Sequence, residues 1–150
     1  MRHAIAPGTG DPADFRIGDC GTQRNLDERG RTQARAVGAA IRAAGVEIDR
    51  VLTSQWCRSR ETAELVGLGH VEEMPALNSF FEDRSTRDEQ TRALREFLAG
   101  LPDGERVMLV THQVNITALT GRGVSSGEVF VLDVAPDGSV EVLDEILVRP

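Results

Sequence analysis

A chain of 150 residues, 40% hydrophobic and 27% charged, suits one compact domain with its own core. Its formal net charge of −7 argues against nucleic acid or an anionic membrane as a bulk partner, and no apolar run is long enough to insert across a bilayer. All 17 basic residues are arginine, so every permanent cation is a planar, forked donor suited to anions.

The chain opens on Met1-Arg2-His3, with no strand ahead of the basic pair. No signal peptide is visible. This abrupt start fits a cut or misassigned N-terminus that lacks an upstream strand or an export leader. The sequence as it stands reads as cytoplasmic, and a lost leader would make the protein periplasmic or exported. Residues 7–25 are a turn-rich polar loop, with Phe15 and Ile17 as anchors. A loop this long in a compact domain usually serves a site.

Asp27 is an N-cap for a helix whose stripe is Ala34, Val37, Ala40, Ile41 and Ala44, ended by Gly45. Residues 48–53 read as a strand. Ser54 then caps a helix over 55–66, which carries Arg58 and buries Ala63, Leu65 and Val66. A short strand is expected over 71–74, followed by a loop over 75–84 that holds Phe80, Phe81, Glu82 and Asp83. Ser85 with Asp88, or Thr86 with Glu89, has the pattern of a capping box. The helix behind it buries Leu94, Phe97, Leu98 and Leu101 and stops at Pro102-Asp103-Gly104. Val107-Met108-Leu109-Val110 is the continuous apolar run of a buried parallel strand, with Thr111-His112 at its C-terminal end. A short helix follows to Gly121. Residues 129–134 and 140–147, around Pro136-Asp137-Gly138, form a hairpin.

Alternating strands and helices predict a single α/β domain over 1–150. The expected architecture is a three-layer α/β/α sandwich with a mostly parallel sheet and a C-terminal antiparallel hairpin. Sites in such folds gather at the C-terminal ends of the parallel strands, where His3, the 54–58 segment and His112 all fall. Three histidines without metal-ligand spacing and two cysteines outside any Cys/His cluster give no reason to expect a metal. Cys20 and Cys57 each read as a buried thiol, or together as one disulfide in an exported protein.

Four motifs in order resemble the histidine phosphatase superfamily, also called phosphoglycerate mutase-like. Arg2-His3-Ala4 is similar to its Arg-His-Gly/Ala signature. Asn25-Leu26-Asp27-Glu28-Arg29-Gly30 is similar to its Leu-Thr-x-x-Gly helix start, with Asp27 in place of Thr. Ser54-x-x-x-Arg58-x-x-x-Thr62-Ala63 looks like its second motif, and Thr111-His112 like its second histidine. The resemblance implies that His3 is a nucleophile accepting a phosphoryl group, with Arg2, Arg58 and His112 binding its oxygens. No cofactor is implied, because arginines neutralise the phosphate.

A carboxylic acid should protonate the leaving group. Here the chain departs from the family, whose members carry Glu about where Asn78 stands, or Asp where Gln113 stands. Glu82 is the first substitute, Asp83 the second and Asp11 the third. Within the family, Pro7 to Asp11, Gly18-Asp19-Cys20 and Thr22 to Leu26 look like small bacterial proteins similar to lipopolysaccharide core heptose-phosphate phosphatases. That group is typically exported, and membership would make a Cys20–Cys57 disulfide reasonable. The other small bacterial group is the protein phosphohistidine phosphatases.

The implied partner is a phosphorylated small molecule of sugar type or a phosphoprotein. The remaining alternative is a catalytically weak phosphate-binding or regulatory module. Asn25 and Arg24 are candidates for substrate contact or, equally, for pinning their loop. The sequence is silent on oligomeric state.

Overall fold

Strand β1 (Arg50–Thr53) is the middle of a three-stranded parallel sheet, flanked by β2 (Val71–Glu73) and β3 (Val107–Val110). The computed structural model describes residues 1–150. Helices α1 (Glu28–Ala43) and α2 (Cys57–Val66) pack against each other on one side, and α3 (Arg87–Ala99) meets α4 (Gln113–Thr120) on the other. The period-two alternation of the strands feeds both layers. Val51, Met108 and Val110 join Val37, Ile41, Ala63 and Val66 in one core, while Leu52 joins Leu77, Leu94, Leu98 and Leu119 in the other, with half-buried Leu109 against it. Strands β4 (Val129–Val134) and β5 (Val140–Ile146) form the antiparallel hairpin. No helix is long and apolar enough to cross a membrane.

The N-terminus fills a strand position of its own. Met1 to His3 runs parallel to β3, with His3 N–H donating to Thr111 O at 2.9 Å and Thr111 N–H to Met1 O at 3.0 Å. On its other side Arg2 N–H donates to Glu128 O at 3.0 Å, and Gly127 N–H to His3 O at 3.0 Å. The segment is too short to show any periodicity, so no strand is visible there in the sequence.

Asp27 caps α1, accepting from Gly30 N–H at 2.8 Å. Two expected caps are different in the fold. Helix α2 starts at Cys57, not after Ser54, because the Ser54 hydroxyl is taken by Trp56 N–H and the His112 ring. No capping box forms before α3. Asp83 instead caps the 3-10 turn Arg84–Thr86 through Ser85 N–H, and Thr86 Oγ1 donates to Gln90. Helix α3 also ends at Ala99, one turn before Pro102.

Helices α1 and α2 meet at Gly38, where an added Cβ would stand 1.9 Å from the Val66 carbonyl oxygen. Glycine inside a helix is ordinarily about 1 kcal/mol worse than alanine. Here the clash should reverse that sign. Gly38→Ala is expected to destabilise the protein by about 1–3 kcal/mol in chemical denaturation, because the helices must separate. A variant as stable as the parent would mean that the helices are not in backbone contact.

Candidate active site

His3 leaves the N-terminal strand segment at its C-terminal end, and His112 follows β3 at the equivalent place. Their ring centroids are 5.4 Å apart, edge to face. Both rings are buried. His3 Nδ1 lies 2.8 Å from the Ala4 carbonyl oxygen, which can only accept, so Nδ1 carries the proton and Nε2 keeps its lone pair. Arg58 Nε donates to that Nε2 at 3.2 Å. Thr62 fixes this register: its hydroxyl accepts from Ala4 N–H at 3.0 Å and donates to Arg58 O at 2.7 Å. The spacing from Arg58 to Thr62 therefore ties the end of the first strand segment to the first turn of α2.

Asp11, third of the candidate carboxylates in sequence terms, is the one the fold brings against Arg58. Arg58 donates to it through both terminal nitrogens, at 2.7 and 3.2 Å. Trp56 Nε1 donates at 3.0 Å and Arg24 N–H at 3.1 Å. The pair is buried, with 4% of the Arg58 side chain and 7% of Asp11 exposed. Burial alone would raise the Asp11 carboxyl. The hydrogen bonds from Arg58, Arg24 and Trp56, together with the Arg58 charge, outweigh it and hold Asp11 below the usual carboxylate range. Phe15 stacks on Trp56, and Trp56 sits edge-on to His112, so the loop is packed down onto the second histidine.

Arg2, His3, Asp11, Arg24, Arg58 and His112 line one cleft of about 550 Å³. Two buried groups on that lining, Arg2 Nε and His112 Nδ1, have no hydrogen-bond partner in the chain. Buried polar atoms are rarely left so, and oxygens of a bound anion would satisfy both. Ser54 Oγ meets His112 Nε2 at 2.7 Å, and a hydroxyl proton directed there puts the ring proton on Nδ1. Burial, followed by the charge of Arg58 and more weakly of Arg2 and Arg24, lowers His3 to about 3 against the one raising contact from Ala4. His112 is lowered by burial first and then by His3 and the same arginines. The floor is thus two neutral rings among fixed cations.

Other candidates lie outside this group. Glu82 is exposed, and its carboxylate rests against Gly10 at the rim, where a Cβ on Gly10 would meet Oε1 at 2.9 Å. Asp83 is spent as a cap. Asn25 points into its own loop, donating to Cys20 O at 2.8 Å and Gln23 O at 3.0 Å. Arg24 lines the cleft and braces the loop through Gly10 O at 2.7 Å and through Ala6 O. Asn78 holds the Gln55 backbone N–H at 2.8 Å and the Gln55 side chain at 2.9 Å. No group of three or more His, Cys, Asp or Glu side chains is arranged to hold a metal ion.

Cys20 and Cys57 are joined in a disulfide, which ties the 7–25 loop to the first residue of α2, next to Arg58. Gln23 reinforces the tie, accepting from Cys57 N–H at 2.9 Å. Gln33, buried in α1, accepts from Ile5 N–H at 3.2 Å and donates to Ser126 O at 2.9 Å and Val148 O at 3.0 Å. No sequence pattern marks either glutamine. Their only signal is a polar residue at a helix or loop position that turns out to be buried.

The model of the histidine phosphatase superfamily, branch 1, matches residues 16–92, and the chain belongs to that superfamily. His3 and His112 lie on either side of the matched stretch and are brought together by the strand pairing described above. Among curated relatives, the mitochondrial serine/threonine-protein phosphatase Pgam5 of Drosophila virilis is 35% identical over 65 residues, covering 43% of this chain and 22% of that protein. The Drosophila willistoni protein of the same name matches to the same extent. The match thus spans about a fifth of the length of these relatives. Among solved structures, the fold is similar to the protein histidine phosphatase SixA complexed with tungstate, with a TM-score of 0.71 at 20% identity, covering 97% of this chain and 93% of that one. It is also similar to the phosphoglycerate mutase of Plasmodium falciparum, with a TM-score of 0.58 at 16% identity, covering 78% of this chain and 82% of that one.

Burial that disfavours the charged His3 ring makes stability depend on pH. Between 6.5 and about 3 the unfolded chain binds more protons at this site than the folded chain, so stability rises with pH across that window and falls on acidification. Stability measured by denaturant titration should fall as the pH drops through this range. The fall should be shallower in His3→Asn, with the remainder carried by His112 and by the depressed Asp11 carboxyl. Parallel losses in parent and variant would contradict a buried neutral His3.

Proposed function

We propose that the protein is a metal-independent phosphomonoester hydrolase acting through a phosphohistidine on His3, on a small phosphorylated substrate of sugar type. The observation that carries this reading is the His3 Nε2 lone pair beside Arg58, on the floor of a cleft also lined by Arg2, Arg24 and His112. A phosphate monoester dianion entering there meets the forked donors of Arg58 and Arg2 and the free Nδ1 of His112. His3 Nε2 attacks phosphorus, an N–P bond forms, and the ester P–O bond breaks. The leaving alkoxide takes a proton from a carboxylic acid. Water then attacks phosphorus, the N–P bond breaks, and its proton returns to the carboxylate. Orthophosphate and neutral His3 remain. The arginines supply the charge stabilisation, so no metal enters the route.

For the acid, the geometry favours Asp11 over Glu82. Asp11 already touches Arg58, whereas Glu82 is exposed at the rim. When a phosphate takes over the Arg58 fork, Asp11 loses its main counter-charge and stands beside a dianion in a buried place. Both changes raise its pKa and favour the protonated donor. A phosphoprotein is the second reading. It is favoured by the protein histidine phosphatase SixA among the structural neighbours and by Pgam5 among the relatives.

Two experiments test this. With excess chelator, the parent should hydrolyse an activated aryl phosphate, and His3→Ala should lose at least about 10³-fold in turnover. Folded parent with no turnover would leave a phosphate-binding module, and activity retained in His3→Ala would move the nucleophile elsewhere. Asp11→Asn should cost about 10²-fold more on an alkyl phosphate than on the activated aryl phosphate, since only the poor leaving group needs the proton. The same selective loss in Glu82→Gln, and not in Asp11→Asn, would give the role to Glu82.

A further inference from the structure

Arg2, Arg24 and Arg58 sit around the two histidines, but two more arginines line the same cleft. Arg84 lies in the 3-10 turn ahead of α3, and Arg87 is the first residue of α3. Both are exposed, and neither side chain makes a salt bridge or hydrogen bond within the chain. The exposed Arg29, Arg106 and Arg149 are unpaired as well, but none of the three lines the cleft. Arg31, Arg35, Arg50, Arg60, Arg92 and Arg122 are all paired with glutamates. The nearby acids form no salt bridge with Arg84 or Arg87: Asp83 is a cap, Glu82 rests against Gly10, and Asp88 and Glu89 lie unpaired in the first turn of α3. In a chain of net charge −7, two cations are thus left unneutralised on one wall of the arginine-rich cleft.

The cleft is also larger than one phosphoryl group requires. Its volume of about 550 Å³ falls within the roughly 300–1,000 Å³ typical of small-molecule sites. Besides the floor and the two arginines, the lining includes Gly8 to Asp11, exposed Phe81, and Thr117 and Ala118 of α4. One cleft thus carries two groups of cations, one around His3 and one at the start of α3. Guanidinium forks suit carboxylate and phosphate alike.

We infer that Arg84 and Arg87 form a second anion subsite, and that the substrate is a small phosphate monoester carrying a further carboxylate or phosphate. This rests on the reading of the His3 floor as the phosphoryl site. The phosphoryl end docks on Arg2, Arg58 and His112, and the second anion on Arg84 and Arg87. Because these arginines are exposed, their contribution is modest and screened by salt.

The test uses phosphonates, whose P–C bond is not hydrolysed, so binding is read apart from turnover. Calorimetric affinities of the parent are compared for methylphosphonate, for ω-phosphonocarboxylates of increasing chain length, and for bisphosphonates with the same spacers. One spacer length should bind about five- to tenfold more tightly than methylphosphonate at low salt, and the advantage should shrink as salt rises. The carboxylate and phosphonate arms identify which second anion is preferred. In the double variant Arg84→Ala/Arg87→Ala the ratio should fall to near one, and the double lysine variant should keep part of it. No preference at any spacer length in the parent, or a preference that survives in the double alanine variant, would overturn the subsite. Arginine-dependent binding without turnover of any phosphate monoester would keep the subsite and remove the hydrolase reading. Turnover without a second-anion preference would do the reverse.

Discussion

The site depends on one short piece of strand pairing. Met1 to His3 lies parallel to β3, held by His3 N–H to Thr111 O and Thr111 N–H to Met1 O. That register puts His3 and His112 at the C-terminal ends of neighbouring strands, facing each other across 5.4 Å. Side-chain orientation alternates along a strand, so a slip of one residue would turn His3 to the opposite face. Thr62 guards against the slip by bonding Ala4 N–H and the Arg58 carbonyl together. Sheet, His3 and Arg58 are therefore fixed as one unit.

Around that unit the electrostatics are unbalanced by design of the sequence. Three arginines and two buried rings share a single inward carboxylate, Asp11. Burial and the arginine charges keep the rings neutral, which leaves His3 with a lone pair rather than a proton. Asp11 occupies the Arg58 fork that an incoming phosphate would use. The loop that carries Asp11 is then clamped from several directions: by the Cys20–Cys57 disulfide, by Gln23 on the start of α2, and by Phe15 stacked on Trp56. A long polar loop is thus tied down at three places, and it supplies part of the cleft lining.

Local rules made some of this legible in the sequence. The α1 cap at Asp27, the β3 run from Val107 to Val110 and the final hairpin each depend on neighbours in the chain, and each was readable there. The family motifs likewise singled out Arg2, His3, Arg58 and His112, which the fold gathers in one cleft. What could not be read depends on partners far along the chain. Ser54 has the chemistry of a cap, but His112, distant in sequence, takes its hydroxyl. Asp11 looked like one acid among several until folding brought Arg58, Trp56 and Arg24 onto it. Asn25 sits beside the site in sequence yet spends its amide on its own loop. Gln23 and Gln33 are buried polar residues whose partners lie on other elements, so neither periodicity nor motif marks them.

The proposed route stands or falls on whether His3 itself carries the phosphoryl group. Rapid acid-free quenching of the parent during turnover of an isotopically labelled phosphate monoester, followed by peptide mass spectrometry, tests it most directly. A transient, acid-labile and alkali-stable phosphoryl label is expected on the peptide containing His3, lost as orthophosphate is released. Turnover with no label on any histidine, or with the label on His112, would contradict it.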